Sequence, residues 1–156
     1  MDDIGFMVGS VWMYDNDHDP PTGFQPRYGP WGDEGYLPVI GDFDRDGLMD
    51  ERGYFDPATG MWKFMRARGW STPEVSGPWG LPGDLPVAGD FDRDGFADDV
   101  AVFRPSTGEW YYDMDHNGST DKTRGSWGLP GDLPNAGDFD QDGYMDDVGV
   151  FRNSEH

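Results

Sequence analysis

Gly89-Asp90-Phe91-Asp92-Arg93-Asp94-Gly95-Phe96-Ala97-Asp98-Asp99 occurs three times in the chain. The other copies are Gly41-Asp42-Phe43-Asp44-Arg45-Asp46-Gly47-Leu48-Met49-Asp50 and Gly137-Asp138-Phe139-Asp140-Gln141-Asp142-Gly143-Tyr144-Met145-Asp146-Asp147, each displaced by 48 residues. Counted from the first Asp, carboxylates fall at loop positions 1, 3, 5 and 9, and Gly at position 6. Asp side chains at alternate positions can converge on one point, and Gly lets the backbone turn sharply there. That is what a hard divalent cation needs. The backbone carbonyls of Leu48, Phe96 and Tyr144, at position 7, would add a further oxygen.

The candidate ligands are therefore Asp42, Asp44, Asp46 and Asp50; Asp90, Asp92, Asp94 and Asp98; and Asp138, Asp140, Asp142 and Asp146. A second kind of loop, Asp113-Met114-Asp115-His116-Asn117-Gly118-Ser119-Thr120-Asp121, keeps the spacing with Asn117 at position 5 and Ser119 at position 7. It is read as a fourth site. Asp15, Asp17 and Asp19 form a degenerate partner, with Pro20 where the Gly should be. In the middle repeat the matching stretch has Arg66 and Arg68 in place of carboxylates; they would either pair with a neighbouring acidic loop or form a solvated basic tip, the reading preferred here. An all-oxygen donor set favours calcium over zinc or copper, and over magnesium, which keeps several waters. The loops are not EF-hands: position 12 is Gly53, Ala101 or Gly149, where that motif needs a bidentate Glu.

A formal charge of −20 argues against nucleic acids and anionic membranes, whose binders carry basic surfaces. No apolar run is long enough to span a bilayer, and no secretory leader is read. With no cysteine there is neither a disulfide nor a thiolate metal site. The chain has 24 Gly and 13 Pro, a share near the low-complexity range. Aromatic residues at 15%, and Gly and Pro at fixed spacing, point instead to turns in a folded β protein.

Around each loop the same units recur. Trp31, Trp79 and Trp127 precede Gly-rich turns and the dipeptides Leu37-Pro38, Leu85-Pro86 and Leu133-Pro134. Brief strands such as Pro86-Val87-Ala88 lead into the loops, and strands ending in Tyr54-Phe55 or Val102-Phe103 leave them. Pro57-Ala58-Thr59-Gly60 and Pro105-Ser106-Thr107-Gly108 read as hairpin turns closed by a left-handed Gly. Trp62 and Trp110 open the next strands. Turns every 8 to 12 residues and no sustained 3.6-residue periodicity predict about four short strands per unit and little helix.

The expected fold is all-β: a β-propeller-like array of about three 48-residue, four-stranded repeats, incomplete as a single closed propeller. One repeat domain covers 1–156, with a partial repeat at 1–30, repeats at 31–78 and 79–126, and a partial repeat at 127–156. Asp2-Asp3-Ile4-Gly5-Phe6 aligns with Asp98-Asp99-Val100-Ala101-Val102. The chain is thus expected to open in mid-repeat, as a mature or excised segment. The tryptophans are expected in the core.

The run from Leu85 to Trp110, with its Gly-Asp-Phe-Asp-Arg-Asp-Gly loop and Val-Ala-Val-Phe-Arg-Pro-Ser-Thr-Gly continuation, resembles the FG-GAP/VCBS-type repeats. The resemblance covers nearly the whole chain. It implies calcium-binding propeller repeats of the integrin α kind and an extracellular or cell-surface setting. It does not imply one activity.

The functional expectation is a calcium-binding extracellular structural or adhesive repeat protein. Its partners would be further repeats or other copies of itself, joined head to tail into a filament or surface layer. The alternative is a calcium-dependent carbohydrate-binding module, with Tyr14, Tyr111 and Tyr112 stacking on sugars. No enzyme is expected. Glu34, Glu51, Glu74, Glu109 and Glu155 occupy unrelated repeat positions, no nucleophile–base pair stands out, and His18 and His116 sit in acidic loops as exposed residues.

Overall fold

A computed structural model describes residues 4–8, 11–15, 25–26, 34–66 and 74–153. The chain forms two compact units, Met1–Tyr36 and Leu37–His156.

The first unit is one antiparallel sheet of β1 (Ile4–Val8), β2 (Val11–Asp15) and β3 (Gln25–Pro26). Val8 pairs with Val11 and Ile4 with Asp15. Trp31, Asp17 and Asp19 lie outside the described residues.

The second unit begins with β4 (Leu37–Gly41), β5 (Glu51–Asp56), β6 (Met61–Phe64) and β7 (Glu74–Ser76), an antiparallel sheet in chain order. The next sheet repeats it with β8 (Leu85–Gly89), β9 (Asp99–Arg104), β10 (Glu109–Asp113) and β11 (Lys122–Arg124). Last come β12 (Leu133–Gly137) and β13 (Asp147–Phe151), paired as a hairpin. The register is conserved across the period: Leu37 faces Phe55, Leu85 faces Phe103 and Leu133 faces Phe151. The fold is all-β with open antiparallel sheets, and no helix occurs among the described residues. None of those residues therefore forms a helix long and apolar enough to cross a membrane.

Local sequence explains the elements. β4, β8 and β12 lie at the edges of their sheets, and each carries Pro at its second position. Proline has no N–H for a ladder and is tolerated on an edge. Gly60 and Gly108, at φ of 76° and 74°, close the β5–β6 and β9–β10 turns. Their N–H groups donate to the Asp56 and Arg104 carbonyls at 2.8 Å, as the Pro-x-Thr-Gly pattern requires.

β9 is buried along nearly its whole length, with Val100, Val102 and Phe103 at 1% exposure or less. Such a strand must be covered on both faces. Trp110 covers Phe103 at 5.0 Å on one side. On the other, Val100 and Val102 join Val39, Phe55, Trp62 and Trp79 in a core shared by the first two repeats. The Trp62 and Trp110 indoles donate to the Trp79 and Trp127 carbonyls at 3.0 and 2.9 Å, tying each third strand to the start of the following repeat.

Two joints between successive repeats are built from backbone. Asp42 N–H donates to the Ala97 carbonyl and Asp90 N–H to the Met145 carbonyl, both at 3.0 Å. The approach is close enough that a Cβ on Gly41 would stand 2.6 Å from the Ala97 oxygen. The Gly before each loop is therefore a packing requirement.

Trp79 is in the core as expected, but its counterpart Trp127 is 44% exposed. The difference extends to Phe139 and Phe151, exposed at 58% and 62%, where Phe91 and Phe103 are at 4% and 0%. Phe91 meets Tyr112 of β10 edge-on at 5.0 Å. Among the described residues β13 has no third strand beside it to do the same.

Candidate metal centres

Each of the three repeated acidic loops links an edge strand to the next strand of its sheet, so the pattern's first and last acids adjoin β structure. Within the loops the backbone aims the carboxylates. The position 1 acid accepts the N–H groups of positions 5 and 6: Asp42 from Asp46 and Gly47, both at 2.9 Å; Asp90 from Asp94 and Gly95, at 2.9 and 3.0 Å. Asp138 does the same with Asp142 and Gly143, both at 3.0 Å. The position 3 acid accepts the position 5 N–H, as Asp44, Asp92 and Asp140 do at 3.2, 2.9 and 3.1 Å. These bonds wrap the chain around a small space that faces carboxylate oxygen. Position 6 Gly takes φ of 88°, 96° and 98° in the three loops, a conformation glycine adopts without strain.

Four groups of acids each offer oxygens within 4.8 Å of one another: Asp42, Asp44 and Asp46; Asp90, Asp92 and Asp94; Asp113, Asp115 and Asp121; Asp138, Asp140 and Asp147. The Asp113 loop, on the far side of β10, copies the geometry. Asp113 accepts the Asn117 and Gly118 N–H groups at 3.2 and 2.9 Å, and Asp121 accepts that of Met114 at 2.7 Å. Ser119 at position 7 is exposed. The position 7 carbonyl of Leu48 receives the Asp50 N–H at 3.0 Å.

Position 9 has a different surrounding from positions 1, 3 and 5. Asp98 binds the Arg45 Nε of the preceding loop at 2.8 Å, and Asp146 binds Arg93 Nε at the same distance. Asp50 is exposed.

In the second and third loops the acid turned into the loop is its neighbour at position 10. Asp99 accepts the Asp92 N–H at 2.8 Å, and Asp147 accepts those of Phe139 and Asp140, both at 3.0 Å. Glu51 holds the same place in the first repeat. The 1-3-5-9 spacing is complete without these residues. The signal that finds them is an acid at position 10 in all three copies, opening the outgoing strand.

The electrostatics suit a bound cation. Asp99 is fully buried, and its Oδ1 has no hydrogen-bond partner. Glu51 is 3% exposed, and neither of its oxygens meets a donor in hydrogen-bond geometry. Burial pushes the Asp99 carboxyl up to about 7. Burial, then the adjacent Asp50, pushes Glu51 up to about 8. Asp113 rises to about 6 and Asp42 and Asp90 also rise, burial being the largest cause in each. Carboxylates gathered out of water are stable as anions only with a cation among them. The oxygen-rich groups could hold a metal ion, and the orphaned buried oxygens are where it would find ligands.

Other sequence candidates fall elsewhere. Tyr112 is 2% exposed and packs on Phe91, so its ring offers no face to a sugar. Tyr111 is half-buried beneath the Arg104 guanidinium, 4.2 Å from its ring centre. His116, expected to be exposed, is half-buried and stacks on Phe64 at 4.8 Å, and burial lowers its pKa. Arg66 is a bridge, not a loose tip: it pairs with Glu74 at 2.6 Å and contacts His116 Nδ1 at 3.0 Å.

Comparison of the chain with family models, curated proteins and solved structures returns no match.

Proposed function

We propose that this chain is a calcium-binding structural or adhesive repeat protein that works outside the cell, its sheets set as propeller-like repeats. The observation that carries the reading is the fully buried Asp99, with one oxygen on the loop backbone and the other without a donor, beside the Asp90, Asp92 and Asp94 cluster. Asp42, Asp44, Asp46 and Glu51 would hold an ion in the first loop; Asp90, Asp92, Asp94 and Asp99 in the second; Asp138, Asp140 and Asp147 in the third; Asp113, Asp115 and Asp121 in the fourth. Oxygen-only donors at loop turns suit calcium, and sites of the extracellular class bind at about 0.1–1 mM. A bound cation would neutralise the clustered charge and fasten each loop between two strands. At millimolar calcium each site would add on the order of 1 kcal/mol by mass action.

The resemblance to FG-GAP/VCBS repeats supports the same reading, as does the lack of any disulfide in so small a β protein. Exposed Phe139 and Phe151, at positions covered elsewhere by a third strand, support packing against a further repeat, of a longer chain or of another copy. The direct test is thermal melting of the purified protein in millimolar calcium and after metal stripping, with the ion count from equilibrium dialysis. We expect three or four ions and a rise of several °C; equal melting temperatures would end the proposal.

A second reading, calcium-dependent glycan binding, rests on a hollow of about 280 Å³ lined by Trp79, Leu81, Arg104, Tyr111 and Thr120. A glycan array run with calcium tests it.

A further inference from the structure

We propose that Arg45 and Arg93 set the metal affinity of the loops that follow them, each acting as a resident counter-cation on carboxylates a metal ion would use. The inference rests on the calcium reading. Arg45 leaves position 4 of the first loop and crosses to the second. Its Nε binds Asp98 Oδ2 at 2.8 Å, its Nη2 binds Asp94 Oδ2 at 3.0 Å, and its guanidinium lies 5.3 Å from the Phe96 ring centre. Arg93 repeats the arrangement one period on, with Asp146 at 2.8 Å, Asp142 at 3.1 Å and the Tyr144 ring at 5.5 Å. Two independent copies of one three-point contact are a built feature.

Asp94 is the shared residue. Its Oδ1 accepts the Phe96 N–H at 3.1 Å, and it is one of the three acids of the second cluster. A guanidinium on its other oxygen removes negative charge from the site that the orphaned Asp99 oxygen helps to form. The arginines stand at φ of 60° and 64°, in the left-handed region where side chains other than Gly and Asn are uncommon. Gln141 fills the same position of the third loop at 63° without a charge, so the backbone there accepts an uncharged side chain.

Two consequences follow. Without metal, the guanidinium neutralises part of the next loop and keeps it in place. With metal, it would oppose a second positive charge on the shared carboxylates. Arg45 and Arg93 are 45% and 50% exposed, so solvent and salt screen the repulsion and the effect is moderate.

The test is calcium titration by calorimetry of the full chain and of Arg45→Gln, Arg93→Gln and the double variant. A metal-stripped melting curve accompanies each. We expect each single variant to tighten one site about three- to tenfold, and the double variant two. The stripped variants should melt a few °C lower, widening the gap that calcium closes. Arg45→Lys, which keeps the charge and loses the two-pronged contact, should stay within about twofold of the parent affinity. Unchanged or weaker calcium binding in Arg45→Gln, with the parent binding normally, overturns the inference alone. A parent that takes up no calcium overturns the inference and the calcium reading together.

Discussion

Asp99 accepts the backbone N–H of Asp92 on one carboxylate oxygen, at 2.8 Å, and keeps the other without a donor in a position closed to water. An unpaired buried anion of this kind destabilises the metal-free protein. Replacing Asp99 with Asn keeps an acceptor for Asp92 and removes the charge. Calcium affinity at that loop should fall at least tenfold, while the stripped protein should melt at the same temperature or higher. Calorimetry and stripped melting curves check both. An equal loss of stability with and without calcium would mark Asp99 as purely structural.

The pH dependence follows from the same burial. Asp99, Glu51 and Asp113 have carboxyls raised to about 7, 8 and 6. Unfolded, they titrate near 4. Between about pH 4 and 8 the folded protein therefore holds more protons than the unfolded chain, and its stability falls as pH rises. Metal-stripped protein should melt several °C higher at pH 5 than at pH 8. In millimolar calcium the protons compete with the ion, so the order should reverse. Scanning calorimetry at the two pH values, stripped and loaded, checks this.

The backbone joint gives a third expectation. A methyl group on Gly89 would fall on the Met145 carbonyl oxygen that receives the Asp90 N–H. Gly89→Ala should cost about 1–3 kcal/mol, the usual range for overpacking. At roughly 2–4 °C per kcal/mol the melting temperature should drop by about 2–12 °C. Gly77→Ala, with open space around the added carbon, is the control and should melt within about 1 °C of the parent.

Phe139 and Phe151 give the fourth. Both are exposed, so the double change Phe139→Ser and Phe151→Ser should leave folding stability within about 0.5 kcal/mol. If copies associate through this face, as proposed, the parent should show concentration-dependent association in sedimentation velocity and the double variant none. Phe91→Ser, at the buried counterpart, should instead cost about 3–5 kcal/mol.

The repeated period made the strands readable, because Leu-Pro, the acidic loop and Pro-x-Thr-Gly bracket each one with turn chemistry that depends on no distant contact. The position 1, 3 and 5 acids were readable for the same reason: their geometry is fixed by N–H groups a few residues away. What lay beyond reach depends on neighbouring repeats. At position 9 nothing local says that Arg45 crosses 53 residues of sequence to Asp98. Position 10 looked like the first residue of a strand, and only the fold turns Asp99 back over Asp92. The exposure of Trp127 was hidden too, since it shares the local pattern of Trp79 and differs only in what lies above it.

At the two joints between successive acidic loops the bonds run one way. Asp42 gives its amide hydrogen to the repeat after it, Asp90 does likewise, and both guanidinium contacts point in the same sense. A repeat joined on both sides in this manner has a giving flank and a receiving flank that are chemically unlike. Stacks built on this rule would have polarity, like a zipper with a pull at one end. A fragment presenting a single flank would act as a chain stopper, halting extension from one direction and leaving the other free to grow.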